Sequence, residues 1–303
     1  MADRFLSGPV RVRVPATSAN LGPGFDAMGL ALGLYDEVEA RVVGTDVRVA
    51  VSGEGAGQVP DDHTHLVAGS ALATFDRLGE RPAGLELRCV NRIPHARGLG
   101  SSSAAIIAGI LTARALLPDG AGRLPDATVL TWAAEAEGHP DNVAPCLYGG
   151  VTVAWTDDTG AHAVRLDPTA ELRPVAYVPA QRALTEQARR LLPEHVPHAD
   201  AAVNAGRAAL LVHALTAAPH LLLPATEDRL HQRYRAAAMP DSLALVDRLR
   251  AAGVPAVLSG AGPTILSFVP AGQLHDREII GEFGSRFATL PLAIDRQGAT
   301  VCF

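Results

Sequence analysis

A glycine- and serine-rich loop between a strand and a buried helix constrains this chain more than any other segment. The loop has the sequence IPHARGLGSSSA at residues 93–104. Apolar side chains alternate over residues 85–89, which predicts a strand, and residues 103–117 are apolar on nearly every side, which predicts a buried helix. Gly98 and Gly100 let an anion approach the backbone, and the helix N-terminus supplies unpaired N–H groups. The loop therefore predicts a cradle for phosphate.

Two common nucleotide-binding loops fit this segment poorly. The chain contains no lysine, so all 26 basic residues are arginines, and a Walker A loop needs its lysine. In a dinucleotide fingerprint, Ser103 would occupy the position of the third glycine, and an acid should follow about 20 residues further on. Asp119 is the one acid near that position, and it lies in a Pro-Asp-Gly turn. We treat this as a chance match, and a dehydrogenase ranks last.

Composition narrows the class of protein. A chain of 303 residues has room for two modest domains, and 48% hydrophobic with 19% charged residues is typical of a globular protein. A net charge of -6 argues against a nucleic-acid surface. No apolar run reaches the length of a membrane span, and no leader is recognisable, so we expect a cytoplasmic protein without a membrane partner. Three separated cysteines indicate reduced thiols rather than disulfides or a zinc site.

Apolar periodicity predicts strands interleaved with helices along the whole chain. In the first half it predicts strands at 10–14, 32–43, 47–51 and 151–155, with the second and third pairing with the first, and helices at 67–78 and 125–138. In the second half it predicts strands at 174–178, around the GAG segment at 260–262 and at 290–294, and helices at 186–192, 201–215, 242–252 and 278–287. This alternation indicates an α+β or α/β sandwich.

Three further segments make the loop specific. They are PATSANLGPGFD at residues 15–26, EGHPDNVAP at 137–145 and LSGAGPTIL at 258–266. Together with the loop, and in this order, they resemble the motifs of the GHMP kinase superfamily. The residues of PATSANLGPGFD and EGHPDNVAP are similar to those of the homoserine kinase family within this superfamily. The resemblance runs from about residue 10 to the end of the chain.

The resemblance implies a fold and an activity. The fold is an α+β, two-domain GHMP kinase fold: an ATP-binding, ribosomal-protein-like domain with a left-handed βαβ element over residues 1–165, and a ferredoxin-like domain over 166–303. The activity is ATP-dependent phosphorylation of the side-chain hydroxyl of L-homoserine to O-phospho-L-homoserine, a step of threonine biosynthesis. It implies ATP and Mg²⁺ as cofactors and is compatible with a homodimer.

The resemblance also implies which residues bind ATP and Mg²⁺. The ATP loop comprises Pro94, His95, Ala96, Arg97, Gly98, Leu99, Gly100, Ser101, Ser102, Ser103 and Ala104. Mg²⁺ is assigned to Ser102 and to one glutamate late in the preceding helix. Glu135 and Glu137 compete for that place, and because they face different sides of a helix, we expect only one to point at the loop. Where the family has an Asn-Leu pair that helps to bind adenine, this chain has HTHLV at residues 63–67, so the adenine site stays unassigned.

The remaining roles concern the acceptor. By resemblance, the amino group of the substrate is bound by Asn20, Asp26 and His139, and its carboxylate by Arg189 and Arg235. Asn142 would hydrogen-bond the reacting hydroxyl. Asp141 could accept the hydroxyl proton or cap a helix beginning near residue 143, and direct proton transfer to the γ-phosphate is the alternative to a base. The family usually has proline at position 233, where this chain has arginine.

Two other functions remain open at this point. Another kinase of the superfamily would phosphorylate mevalonate or a sugar, and a sugar lacks the carboxylate that two arginines would bind. A catalytically silent member would retain the fold for ligand binding alone. The intact loop glycines and serines, and the acids near the loop, favour an active kinase.

Overall fold

Two β-sheets frame the structure, which is a computed structural model describing residues 4–182, 185–270 and 281–303. Within these residues the first sheet has seven strands and the second has four. The strands are β1 (Val10–Ala19), β2 (Met28–Val43), β3 (Asp46–Gly53), β4 (Gly84–Asn91), β5 (Val151–Asp157), β6 (Gly160–Leu166), β7 (Leu172–Pro179), β8 (Ala256–Leu258), β9 (Ile265–Pro270), β10 (Phe287–Pro291) and β11 (Thr300–Cys302).

Helices cover the sheets and carry part of the predicted site. They are α1 (Leu66–Arg77), α2 (Ser101–Leu116), α3 (Gly120–Arg123), α4 (Asp126–Glu137), α5 (Pro140–Tyr148), α6 (Thr185–Arg190), α7 (His198–Thr216), α8 (Leu222–Ala225) and α9 (Pro240–Ala251). Short 3₁₀ helices cover Pro219–Leu221, Arg233–Arg235 and Gly281–Ser285. Among the described residues, no helix combines the length and apolar character that crossing a membrane would need.

The first sheet has the strand order β11-β1-β2-β4-β3, with β5 paired to β2 and β6 paired to β5. Its pairs are antiparallel except β3 with β4, which run parallel and are joined through α1 as a βαβ unit. We expected β3 to pair with β1, and this was wrong: β2 and β4 lie between them. A parallel neighbour can be reached only by a crossover, and α1 supplies it.

Alternation along β1 explains how this sheet meets its helices. Val10, Val12 and Val14 are at most 1% exposed, whereas the intervening arginines face solvent. Helix α2 packs behind the sheet and against α1, and twelve of its sixteen residues are buried. The predicted buried helix is therefore confirmed, and it fixes the position of the loop that precedes it.

The second sheet has the order β10-β7-β9-β8 with antiparallel pairs. Numbered along the chain, this is 4-1-3-2, the strand order of the predicted ferredoxin-like fold. The prediction of a helix at 278–287 was wrong for residues 281–287, the part of this range that the structure describes. Residues 281–285 form a 3₁₀ turn and Phe287 begins β10, while 278–280 lie outside the described residues.

The end of the chain returns to the first sheet. Strand β11 pairs with β1 through the neighbours Cys302 with Arg11, Val301 with Val12 and Thr300 with Arg13. This strand and β6 had no counterpart in the predictions. The division into residues 1–165 and 166–303 stays a prediction, and the last residues of the second segment lie beside the first strand of the chain.

Candidate active site

Two cavities meet at the N-terminus of α2. One, of about 80 Å³, is polar and is lined by Ala19, Asn20, Asp26, Ala96, Gly98, Gly100, Ser101, Ser102, Glu137, His139, Asp141, Asn142, Arg189, Arg235, Gly260 and Ala261. The other, of about 340 Å³, is mainly apolar. Ser101 and Ser102 line both cavities, so the first turn of α2 connects them. A ligand with an apolar and an anionic end can occupy both sides of this junction.

The glycines of the loop serve the packing of the protein itself. Gly98 and Gly100 have φ of 76° and 70°, a left-handed conformation that side chains rarely adopt. A Cβ atom on Gly98 would lie 2.3 Å from the Ser259 carbonyl oxygen, and one on Gly100 would lie 2.0 Å from Thr17 Oγ1. Close contact with β1 and with the segment after β8 therefore requires glycine at both positions. Both glycines also line the polar cavity, and the expectation that they make room for an anion stays a prediction.

Side chains around the loop hold it to the second sheet. Arg97 Nε donates to the Pro179 carbonyl oxygen at 2.9 Å and Nη2 donates to that of Ala180 at 3.0 Å. Ser259 Oγ donates to the Gly98 carbonyl oxygen at 2.6 Å. Leu99 is buried in the core. Of the eleven predicted loop residues, those lining a cavity are His95, Ala96, Gly98, Gly100, Ser101, Ser102 and Ala104, and those outside both linings are Pro94, Arg97, Leu99 and Ser103.

Glu135 and Glu137 lie in different surroundings. Glu137 Oε1 accepts hydrogen bonds from Ser102 Oγ at 2.6 Å and from Ser103 Oγ at 2.9 Å. Glu135 pairs at 2.9 Å with Arg77, and about half of each side chain is exposed. The expectation that one glutamate faces the loop therefore fits the geometry, and Glu137 is that residue. Its carboxylate and the Ser102 hydroxyl offer hard oxygen atoms where phosphates would lie.

Asp141, at the start of α5, contacts the side chain of His139. Helix α5 begins at Pro140, so a cap for a helix starting near residue 143 was wrong: Asp141 lies inside the first turn. Its Oδ1 atom lies 2.6 Å from His139 Nδ1. Burial lowers the pKa of His139, but the hydrogen bond and charge of Asp141 outweigh burial, and the pKa is raised above its ordinary value.

Asn142 is held by the first strand. Thr17 Oγ1 donates to Asn142 Oδ1 at 2.8 Å, across 125 positions of sequence. Because the amide oxygen is engaged, the NH₂ group of Asn142 is the part left to contact a ligand in the polar cavity. Sequence reasoning missed Thr17, whose neighbours in the PATSAN segment carried no hint of a contact with α5.

The residues predicted for an amino-acid substrate surround the same polar cavity. Asp26 accepts two hydrogen bonds from Arg189, at 2.9 and 3.2 Å. Asn20 bridges two segments, because its Nδ2 donates to the Gly260 carbonyl oxygen at 2.8 Å and its Oδ1 accepts from the Asp26 N–H at 2.9 Å. Carboxylate and guanidinium groups therefore stand side by side, which suits a ligand carrying both charges.

Arg235 is the most deeply buried cation of the site. It is 1% exposed and lines the cavity beside Gly260, whose carbonyl oxygen accepts from its Nη1 at 3.2 Å. Burial first, and then the charge of Arg189, lower the pKa of Arg235 to about 10, so the group stays charged at neutral pH. Within the described part of the chain its Nε has no hydrogen-bond partner. Such a cation is a strong site for an anionic ligand group.

The apolar cavity was not assigned from the sequence. Its lining comes from β1, β2, β4, α1, α2 and the loops after β3 and β4: Val14, Asp36, Val38, Val59, Pro60, Thr64, His65, Leu66, Val67, Asn91, His95, Ser101, Ser102, Ala104, Ala105 and Ala108. No single segment of sequence could reveal a wall built from so many elements. His65 belongs to the HTHLV segment, and its ring nitrogen Nδ1 accepts from the Val67 N–H at 3.3 Å to cap α1.

Comparison with known proteins places the chain in a family. A model of the N-terminal domain of GHMP kinases matches residues 65–150. Homoserine kinase of Streptomyces coelicolor is 57% identical over 297 residues, covering 98% of this chain and 96% of that protein. Homoserine kinase of Clavibacter michiganensis is 49% identical, covering 96% and 93%.

Solved structures agree with the described fold. The crystal structure of homoserine kinase from Cytophaga hutchinsonii has a TM-score of 0.81 at 26% identity and covers 97% of both chains. Mevalonate kinase of L. major, solved in complex with R-mevalonate, has a TM-score of 0.68 at 14% identity, a likeness of fold alone. The full-length identity to several homoserine kinases is decisive: this chain belongs to the homoserine kinase family of the GHMP kinases.

Proposed function

We propose that this protein transfers the γ-phosphoryl group of ATP to the side-chain hydroxyl of L-homoserine, giving O-phospho-L-homoserine for threonine synthesis. Its relatives are homoserine kinases by name, and their near full-length match supports the same activity here. The observation that carries the proposal is the polar cavity, where carboxylate, guanidinium and amide groups stand next to the loop at the start of α2.

ATP would span both cavities. Adenine fits the apolar cavity, which offers aliphatic walls from β1 and α2 and a few polar atoms to orient a base. The triphosphate would then lie at Ser101 and Ser102, where the N-terminus of a sixteen-residue helix favours negative charge. Catalysis of phosphoryl transfer depends on such positioning and charge compensation.

Mg²⁺ is the proposed partner of ATP. In phosphoryl-transfer sites this ion takes most of its ligands from phosphates and water, so one or two protein oxygens suffice. The Ser102 hydroxyl and the Glu137 carboxylate, in mutual contact at 2.6 Å, fit that need. When bound, the ion offsets the negative charge of the transferring phosphoryl group. Within the described ranges, no three His, Cys, Asp or Glu side chains gather as a metal cluster.

L-Homoserine would bind by its two charged ends. The ammonium group fits Asp26, with Asn20 and His139 nearby, and the carboxylate fits Arg189 and Arg235. The reacting hydroxyl would then face Asn142. Its proton passes either to Asp141 or to the phosphoryl group itself. Asp141→Asn keeps the shape of the side chain and removes the negative charge that makes it a base. This variant separates the two routes, since only the first needs the carboxylate.

The test measures ADP release with L-homoserine, L-threonine, mevalonate and galactose as parallel acceptors. We expect Mg²⁺-dependent release that is fastest with L-homoserine. Faster release with mevalonate or galactose would contradict the proposal in favour of another GHMP kinase. Bound ATP without turnover on any acceptor would indicate a silent member. A homodimer and a cytoplasmic location stay predictions.

A further inference from the structure

His231 is a fully buried histidine with both ring nitrogens engaged. It is 0% exposed. Its Nε2 lies 2.8 Å from the Gly22 carbonyl oxygen, and its Nδ1 lies 2.9 Å from Arg235 Nη1. A carbonyl can only accept and a guanidinium can only donate, so Nε2 must carry the proton and Nδ1 must be bare. The two contacts therefore specify one neutral tautomer.

The surroundings of His231 favour that neutral form. Burial lowers its pKa most, the nearby Asp228 opposes this, and the charge of Arg235 lowers it further, with a net decrease. Asp228 lies 3.7 Å from Nε2. Its Oδ2 atom accepts from the N–H groups of His231 at 3.2 Å and Gln232 at 2.7 Å. The carboxylate is thus engaged by backbone and leaves the ring its role as a neutral bridge.

The ring connects the two halves of the predicted amino-acid site. On one side it contacts the segment 20–26, through the Gly22 carbonyl and by stacking on Phe25, with centroids 5.0 Å apart and planes at 21°. That segment carries Asp26, proposed for the ammonium group. On the other side it accepts a hydrogen bond from Arg235, proposed for the carboxylate. His231 itself does not line the polar cavity as described.

We propose that His231 is a positioning residue, which fixes the Arg235 guanidinium relative to the segment 20–26 so that both charged ends of one α-amino acid are bound together. The inference rests on the proposed role of Arg235. With the acceptor at Nδ1 removed, Arg235 Nη1 keeps the longer contact with the Gly260 carbonyl oxygen at 3.2 Å, and the guanidinium is less firmly fixed relative to Asp26. The affinity for the carboxylate then falls, while contacts of ATP remain.

Two amide substitutions of His231 separate the two ring contacts. His231→Asn puts an amide oxygen near the place of Nδ1, so it keeps an acceptor for Arg235 and loses the bond to Gly22. His231→Gln puts an amide N–H near the place of Nε2, so it keeps the bond to Gly22 and loses the acceptor. Both variants lose the stacking on Phe25, and each keeps one of the two ring contacts. A larger effect of His231→Gln than of His231→Asn therefore shows that the contact with Arg235 matters more than the contact with Gly22.

The measurement is the KM for L-homoserine, for homoserinol, which lacks the carboxylate, and for ATP. We expect His231→Gln to raise the KM for L-homoserine about tenfold, the effect of losing one hydrogen bond to a charged group. His231→Asn should raise it far less. In both variants the KM for ATP and the kcat/KM for homoserinol should stay near the parent values.

Several results would overturn the inference. Equal increases of KM in both variants, or an equal loss with homoserinol, would show that His231 only fills the core. If Arg235→Ala discriminates L-homoserine from homoserinol as the parent does, the proposed role of Arg235 and this inference both fail. If Arg235→Ala loses that discrimination while His231→Gln is silent, this inference alone fails.

A measurement on the unmodified protein covers the case in which neither variant folds. Nitrogen-15 NMR of the imidazole should show a proton on Nε2 and none on Nδ1 between pH 6 and pH 9, the range in which a buried neutral ring is expected to stay neutral. A protonated ring, or the opposite tautomer, would contradict the bridge, because Nδ1 could then accept nothing from Arg235.

Discussion

Two glutamates of α4, two positions apart, provide a matched pair at the residue scale. Glu137 contacts the serines at the start of α2, whereas Glu135 pairs with Arg77 at the surface. We expect Glu137→Gln to lower kcat about tenfold or more and to raise the Mg²⁺ concentration needed for half-maximal rate, because a charged oxygen ligand is lost. Initial rates against Mg²⁺ concentration at saturating ATP measure both effects.

Glu135→Gln is the control for this prediction. An exposed ion pair contributes about 0 to 1 kcal/mol to stability, so this variant should retain the parent rate and Mg²⁺ dependence. Negligible effects of both substitutions would show that neither carboxylate serves the metal. Larger effects from Glu135 would reverse the assignment.

Arg189 and Arg235 differ in burial and are predicted to share a task. We expect Arg189→Ala and Arg235→Ala each to lower kcat/KM for L-homoserine about tenfold or more, because a charge-assisted hydrogen bond to the carboxylate is lost. The KM for ATP should change little. Homoserinol should be a poor substrate of the parent and lose little more in either variant. A parent-like ratio of the two substrates in both variants would exclude the arginines from carboxylate binding.

His139 predicts a pH dependence of stability. Its pKa is raised in the folded protein because the partner Asp141 outweighs burial. The stabilising contribution is therefore complete below the unfolded pKa of about 6.5 and is lost as pH rises through the folded pKa. We expect the difference in free energy of unfolding between the parent and His139→Gln to shrink from pH 6 to pH 9 in urea titrations. A constant difference would contradict the pair.

At the scale of elements, apolar periodicity predicted helix ends that depend on local sequence and missed features that several elements form together. Helix α4 ends before Gly138, whose φ of 90° marks the glycine that stops it, as the sequence predicted. The start of α5 was missed because Pro140 suits a first helical position as well as a turn. The apolar cavity could not be found, because its wall combines elements that only the folded chain brings together.

A hydrogen bond from Thr17 to Asn142 joins strand β1 and helix α5 at the site. Thr17→Val keeps the shape of the side chain and removes the hydroxyl, which frees the Asn142 amide to rotate. We expect kcat to fall about two- to tenfold, the range of one neutral hydrogen bond, with a nearly unchanged KM for ATP. Steady-state kinetics measure this. Thr17→Ser keeps the hydroxyl and should behave like the parent, and equal losses in both variants would contradict the role of the bond.

At the scale of the whole molecule, the last strand provides a prediction. Removing residues 300–303 deletes β11 and uncovers the backbone of β1 at Arg11 to Arg13. An uncovered edge strand invites pairing with other chains. We expect a lower Tm and more aggregation in light scattering than for the parent. Deleting Phe303 alone is the control, since this residue lies outside β11 and is 86% exposed. Equal behaviour of both truncations would show that β11 adds nothing.

The position of β11 also bears on how the protein is made. A chain emerges from the ribosome N-terminus first, and domains commonly fold as they emerge. Strand β1 pairs with β2 soon after both are made, but its second partner, β11, is translated about 290 residues after it. One edge of the first sheet therefore stays unpaired until residues 300–302 have been synthesised. An unpaired edge strand invites pairing with other chains. We therefore expect ribosome-bound chains that stop before β11 to associate with one another more than chains that include it.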